Sequence, residues 1–194
     1  MPLKQVGPGG RVESVAVEKA IQRVYLTGFM GAGKSTVGAL LARRMGWSFL
    51  DLDAVIETNI GHSVSHLFDT HGEAHFRLLE LETLRAIRSK SKTVISLGGG
   101  AIETAEVRAL LAGDEHGVLI FLEAPLERLL DRCAAQDGSA TRPLLRDIAL
   151  LQSRYEIRLA HYKKAHLTVA TQEISPEEVA ATILNHLAAR KTWK

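Results

Sequence analysis

Short β-branched and aromatic runs alternate along this chain with longer stretches whose apolar residues recur every three or four positions. RVYLTG, from Arg23, reads as a strand that stops at Gly28, and Val37, Leu40, Leu41 and Met45 then lie at helical spacing between Ser35 and Met45. WSFLDLD reads as a second strand ending in carboxylates. Ala54 to about Arg88 reads as several helices broken near Gly61 and Gly72. TVISLGGG is a third strand running into three glycines, followed by a helix from roughly Glu103 to Leu111. GVLIFLEA is apolar at almost every position, as in a parallel strand buried on both faces. Pro125 opens the next helix, and a long one spans about Ile148 to Lys164. HLTVAT is a fifth strand, and Ser175-Pro176-Glu177-Glu178 combines an N-cap, a first-turn proline and a capping box. Strands alternating with helices predict an α/β fold, a parallel sheet covered on both faces.

Two segments fall outside this rhythm. Residues 1–22 open with Gly and Pro breakers and are expected to be an extension before a single domain spanning 23–191. AAQDGSATRPLLRD, polar and rich in breakers, is too long for a simple connection and points to a functional loop at about 134–146.

Composition narrows the class. At 194 residues, 46% hydrophobic and 24% charged, the chain has the size of one globular domain. A formal charge of +2 gives no reason to expect a nucleic-acid partner. The single cysteine, Cys133, excludes an internal disulfide framework and fits a reducing compartment. No run approaches the roughly 18 apolar residues of a membrane span, so a cytoplasmic protein with no membrane partner is expected.

The chemistry begins at GFMGAGKS, residues 28–35, a G-x-x-x-x-G-K-S phosphate loop set between a predicted strand and a predicted helix. Its glycines let backbone N–H groups approach phosphate oxygens closely. Lys34 adds an ammonium near the β and γ phosphates, and the Ser35 hydroxyl is placed to ligate Mg²⁺. Asp51 and Asp53, two apart, would share one face of an extended strand. Beside a phosphate loop, Asp51 suits a metal's water shell and Asp53 an attacking hydroxyl, although Asp53 could equally cap the next helix. Arg77 lies four residues after Glu73, so an ordinary helical salt bridge would explain it, and Arg158 reads locally as part of a solvated charged face. Gly98, Gly99 and Gly100 directly follow a strand, leaving N–H groups open to a ligand. Arg142, just before Pro143, stands where a mobile cation can reach transferring phosphates or simply face solvent.

Taken in order, GFMGAGKS, FLDLD, GEAHFR, SLGGGA, RPLL and YEIRLAHY resemble the shikimate kinase family from about Arg23 to His166. The resemblance implies transfer of the γ-phosphoryl of ATP to the 3-hydroxyl of shikimate, in the route to chorismate and the aromatic amino acids. It implies a nucleoside monophosphate kinase-like fold, a three-layer α/β/α arrangement around a five-stranded parallel sheet of order 2-3-1-4-5. Shikimate-binding helices are implied at about 54–89 and a closing lid at about 134–146. By the same resemblance Gly31, Ala32, Gly33, Lys34, Ser35 and Thr36 form the nucleotide loop, Ser35 ligates Mg²⁺ and Asp51 assists through water. Asp53 contacts and activates the acceptor hydroxyl, with Lys34 and Arg142 serving catalysis at the phosphates. Arg77 and Arg158 hold the shikimate carboxylate, with the backbone of Gly98, Gly99 and Gly100 beside it. A monomer is expected. Neither Arg132, the nearest arginine before the lid, nor the segment Gln172 to Ser175 is assigned a role. A gluconate kinase or nucleoside monophosphate kinase would share the loop and sheet without needing this arginine and glycine set. A ligand-sensing module on the same scaffold would show eroded catalytic positions.

Overall fold

The computed structural model describes residues 21–137 and 148–189. Five parallel strands, β1 (Arg23–Thr27), β2 (Ser48–Asp51), β3 (Thr93–Ser96), β4 (Gly117–Glu123) and β5 (Leu167–Ala170), form one sheet of order β2-β3-β1-β4-β5. The helices among the described residues are α1 (Lys34–Met45), α2 (Leu52–Ile60), α3 (Val64–Ile87), α4 (Ala105–Ala112), α5 (Leu126–Asp137), α6 (Ile148–Tyr162) and α7 (Pro176–Ala189). None of them is long and apolar enough to cross a membrane.

Successive residues Val118 to Leu122 are all buried, although neighbours on a strand point to opposite faces. Helices therefore cover the sheet on both sides, and the near-continuous apolar run of β4 follows from that. In register, Tyr25 lies between Ile95 and Leu119, and Leu26 between Ser96 and Ile120. β1 is thus central, and the phosphate loop leaves the sheet from its middle. At the opposite end of β1, Arg23 binds both oxygens of Asp114 at 2.6 Å and the Tyr25 hydroxyl donates to the same carboxylate at 2.7 Å. This buried network ties β1 to the turn before β4, away from the chemistry.

Most boundaries follow the hydrophobic pattern. Gly61 ends α2 in the left-handed conformation, and Gly72 (φ 77°, ψ 169°) breaks the helical path inside α3. The Ser175–Glu178 capping box forms in both directions, Ser175 N–H to Glu178 at 2.7 Å and Glu178 N–H to Ser175 Oγ at 3.2 Å. Two readings need correction. β2 ends at Asp51, not Asp53, because the Asp51 carboxylate accepts from the N–H groups of Asp53 (3.2 Å) and Ala54 (3.5 Å) and starts α2 at Leu52. Asp53 therefore lies in a first helical turn, and Asp51 is the cap. The helix expected from roughly Glu103 to Leu111 is α4, preceded by a short 3-10 turn, Ala101–Glu103. Gln22, placed by sequence in the extension, donates to His116 O (2.9 Å) and accepts from Thr93 N–H (3.1 Å). Residues 1–20 and most of the expected lid, 138–147 with Arg142, lie outside the described residues.

Candidate active site

All the strand ends named in the sequence reading open on one edge, as they must in a parallel sheet. There the chain from Gly28 to Gly33 folds back over the start of α1. Gly28, Gly31 and Gly33 have φ of 148°, 74° and 87°, values that side chains resist. Space is short as well: a Cβ on Gly28 would sit 2.7 Å from Leu122 O, and one on Gly31 2.5 Å from Leu129 O. Gly33 caps α1 without any side-chain hydrogen bond, and no acidic residue occupies the first turn. The helix thus presents its N–H groups and positive dipole end to an incoming anion. Lys34 Nζ folds back on the carbonyls of Gly28 (2.9 Å) and Phe29 (3.1 Å). Loss of solvation pushes its ammonium down to about 8, against the opposing influence of Asp53 and Asp51.

Ser35 Oγ donates to Asp51 Oδ2 at 2.6 Å, joining α1 to the cap of α2. These two hard oxygen donors at the mouth of the loop fit Mg²⁺, which keeps several waters and takes few protein ligands when phosphates supply the rest. No group of three or more His, Cys, Asp or Glu side chains suited to a metal occurs among the described residues.

Asp53 faces the glycine turn that follows β3. Its Oδ1 and Glu80 Oε1 are buried without a hydrogen-bond partner among the described residues. Both crowd Gly98, where a Cβ would meet Glu80 Oε1 at 2.5 Å and Asp53 Oδ1 at 2.8 Å. Buried polar atoms without protein partners leave room for hydrogen bonds from a ligand's hydroxyls or from water. Burial first, and the neighbouring Asp51 charge second, raise the Asp53 carboxyl above the usual carboxylate range, which makes it a better proton acceptor.

Gly100 is similarly constrained, since a Cβ would lie 2.1 Å from Arg77 Nη2. The side-chain ends of Asp53, Glu80 and Arg77 thus pack directly against the bare backbone of Gly98 and Gly100. None of the three glycines has a positive φ. The middle one, Gly99, is the more accessible and has only ordinary contacts at 3.7 Å, one of them with Arg158 Nη1.

Arg77 does make the local pair with Glu73 (2.8 Å), but it also binds Glu80 Oε2 at 2.8 Å and lies 3.7 Å from Glu103 Oε2. Arg158 is not on a solvated face: it is 7% exposed, with Nε bound to Glu103 Oε1 at 2.7 Å and its guanidinium 5.5 Å from the Phe29 ring centre. Two cations from α3 and α6 therefore meet at the glycine turn, beside Asp53 and across from the phosphate loop. Two guanidinia beside a carboxylate suit a small anion that also carries a hydroxyl.

Glu80 was not visible as a site residue in the sequence. The signal was present, because three residues after Arg77 on a helix is the same face. It is fully buried, and desolvation pushes its carboxyl up to about 7, although Arg77 acts in the opposite direction. A folded-state value above the unfolded one means that the folded protein binds more protons. The corresponding stability is present below about pH 4.5 and is lost as pH rises through 7. Relative to Glu80→Gln, the wild type is thus expected to lose about 3 kcal/mol of unfolding free energy between pH 4.5 and pH 7.5. Urea unfolding of both proteins at the two pH values measures it, and a constant difference would contradict the assignment.

On the other side of the loop lies a cavity of about 230 Å³ lined by Gly33, Thr36, Arg132, Thr171, Ile174 and Pro176, among others. Arg132 reaches it from α5 and is held by donating to both Thr171 Oγ1 (3.1 Å) and the Thr171 carbonyl. The arginine and the segment after β5, which sequence spacing alone did not assign, thus meet over thirty-nine residues of chain.

The family model described as shikimate kinase matches residues 30–188. The shikimate kinase of Geobacter metallireducens is 38% identical over 183 residues, covering 91% of this chain and 98% of that protein. Among solved structures, the shikimate kinase from Acinetobacter baumannii in complex with shikimate superposes with a TM-score of 0.80 at 34% identity, covering 88% of this chain and 95% of that one. A gluconokinase from Sinorhizobium meliloti 1021 shares the fold at a TM-score of 0.61 but only 21% identity. The chain belongs to the shikimate kinase family.

Proposed function

We propose that this protein transfers the γ-phosphoryl group of ATP to the 3-hydroxyl of shikimate, giving shikimate 3-phosphate and ADP. The observation that carries the reading is the convergence of Arg77 and Arg158 on the turn Gly98–Gly100, next to Asp53 and facing the phosphate loop. Family membership and the shikimate bound in the A. baumannii relative supply the substrate's identity.

The phosphates lie on the N–H groups from Gly31 to Thr36, and adenine enters the cavity beside Arg132, Ile174 and Pro176, where a guanidinium can stack on the ring. The shikimate carboxylate is taken by the Arg77 and Arg158 guanidinia, with the Gly99 backbone alongside. Fixing the ring at its carboxylate turns one hydroxyl toward the phosphate and gives the reaction an intramolecular character. Asp53 accepts the hydroxyl proton as that oxygen bonds to the γ-phosphorus, and the bond to the bridging oxygen breaks with its electron pair leaving on ADP. Lys34, and Arg142 by family resemblance, neutralise charge on the transferring and leaving oxygens. A Mg²⁺ held by Ser35, and by Asp51 through water, would screen the β and γ phosphate charge.

Lys34 carries a separate expectation. With its ammonium at about 8 in the empty protein, phosphates must raise it, because an opposite charge favours the charged form. Nucleotide binding at pH 8 is therefore expected to take up a fraction of a proton. Calorimetry in two buffers of different ionisation enthalpy detects this, and identical heats would contradict it.

The direct test of the proposal is ADP release from Mg-ATP followed with shikimate and, separately, with gluconate. Release that depends on shikimate supports the reading; release with gluconate alone, or with neither, overturns it.

A further inference from the structure

We propose that Glu103 is a positioning residue for substrate recognition: it grips Arg158 by the Nε edge and thereby turns the guanidinium's Nη end toward the glycine turn. This rests on the reading of Arg158 as a shikimate-carboxylate ligand. A guanidinium can meet a carboxylate through Nε and one Nη, or through both Nη atoms. Glu103 Oε1 occupies Nε at 2.7 Å, so only the second geometry is left for a substrate. Arg158 Nη1 faces Gly99, 3.7 Å from where a Cβ would stand, which is the accessible member of the turn. The other Glu103 oxygen lies 3.7 Å from Arg77 Nη2. One carboxylate therefore spans both cations, offsets their mutual repulsion and holds them at a common separation.

Glu103 itself is well anchored. Its N–H donates to Gly100 O at 2.9 Å, closing the 3-10 turn, and its carbonyl accepts from Arg108 Nη1 at 2.6 Å. Arg108 Nη1 also binds Ile102 O at 2.8 Å, so the base of the turn does not depend on the Glu103 side chain. Nothing in the local sequence marks this role, because Glu103 and Arg158 are 55 residues apart.

Steady-state kinetics of Glu103→Ala, Glu103→Gln, Arg158→Ala and the double variant Glu103→Ala/Arg158→Ala test it. Glu103→Ala is expected to raise the shikimate KM about tenfold, the scale of one charge-assisted hydrogen bond, with ATP KM and kcat within about threefold. Glu103→Gln keeps an oxygen able to accept from Nε and is expected to recover most of that loss. In the Arg158→Ala background, Glu103→Ala is expected to add little, because its effect runs through the missing guanidinium. A lower shikimate KM in Glu103→Ala would mean that Glu103 competes with the substrate carboxylate and overturns the proposal. So would an unchanged KM, a parallel rise in ATP KM, or a full effect persisting without Arg158. Absence of shikimate-dependent turnover in the wild type is a different result and would instead overturn the assigned activity.

Discussion

Asp53→Asn is expected to lower turnover by about 10²–10⁴-fold, the usual contribution of a positioned proton acceptor, while ATP affinity stays within a few-fold. The amide keeps the shape of the carboxylate but cannot take the hydroxyl proton. Its effect should be large because the carboxyl it replaces is raised by burial and by Asp51, and so is a stronger base than an exposed aspartate. ATP affinity should survive because the nucleotide contacts proposed above, the loop backbone, Lys34 and the cavity around Arg132, do not include Asp53. Asp51, which holds Ser35 and caps α2, is untouched. Single-turnover measurements with ATP titrated separately check both halves. Turnover like the wild type would exclude Asp53 as the acceptor, and a parallel loss of ATP affinity would indicate damage to the loop.

Arg158→Ala is expected to act on the other axis. Two charge-assisted hydrogen bonds to a carboxylate, at about 1.5–3 kcal/mol each, put the rise in shikimate KM at roughly 10²-fold or more. ATP KM should move by less than about threefold, since Arg158 is not among the residues lining the cavity beside Arg132. Some loss of kcat is also expected, because a ring held only by Arg77 no longer turns one hydroxyl toward the phosphate. Equal increases in both KM values would argue against a carboxylate clamp.

These two residues also show how unevenly the site is written in the sequence. The phosphate loop is legible because its demands are local: φ at Gly28, Gly31 and Gly33 is a property of the adjacent peptide, and the fixed spacing records it. The alternation of elements predicts the parallel sheet and the family resemblance implies its order, and β4 signals its two-sided burial directly. Asp53 was found by a partly wrong route. A period of two suggested a strand face, whereas the Asp51 carboxylate captures two N–H groups and begins a helix, and the pair still meets at the same edge.

Arg77 and Arg158 are the opposite case. Locally each has an ordinary explanation, and for Arg77 that explanation is true as far as it goes, since the Glu73 pair exists. Their meaning lies in contacts with Glu80, Glu103 and the glycine turn, which only the folded chain brings together. The glycine run was read as open N–H groups. The folded chain adds that the side-chain ends of Asp53, Glu80 and Arg77 pack on its outer members. Arg132 has no signal in its local spacing, because its partner Thr171 lies thirty-nine residues away.

The central claim is that the loop delivers phosphate to one hydroxyl of a ring held by its carboxylate. ³¹P NMR of the products formed from Mg-ATP and shikimate tests it most directly. The expected spectrum shows ADP together with a phosphate monoester coupled to the proton on C3 of the ring. Inorganic phosphate as the main new signal, or a monoester on another hydroxyl, would contradict the account.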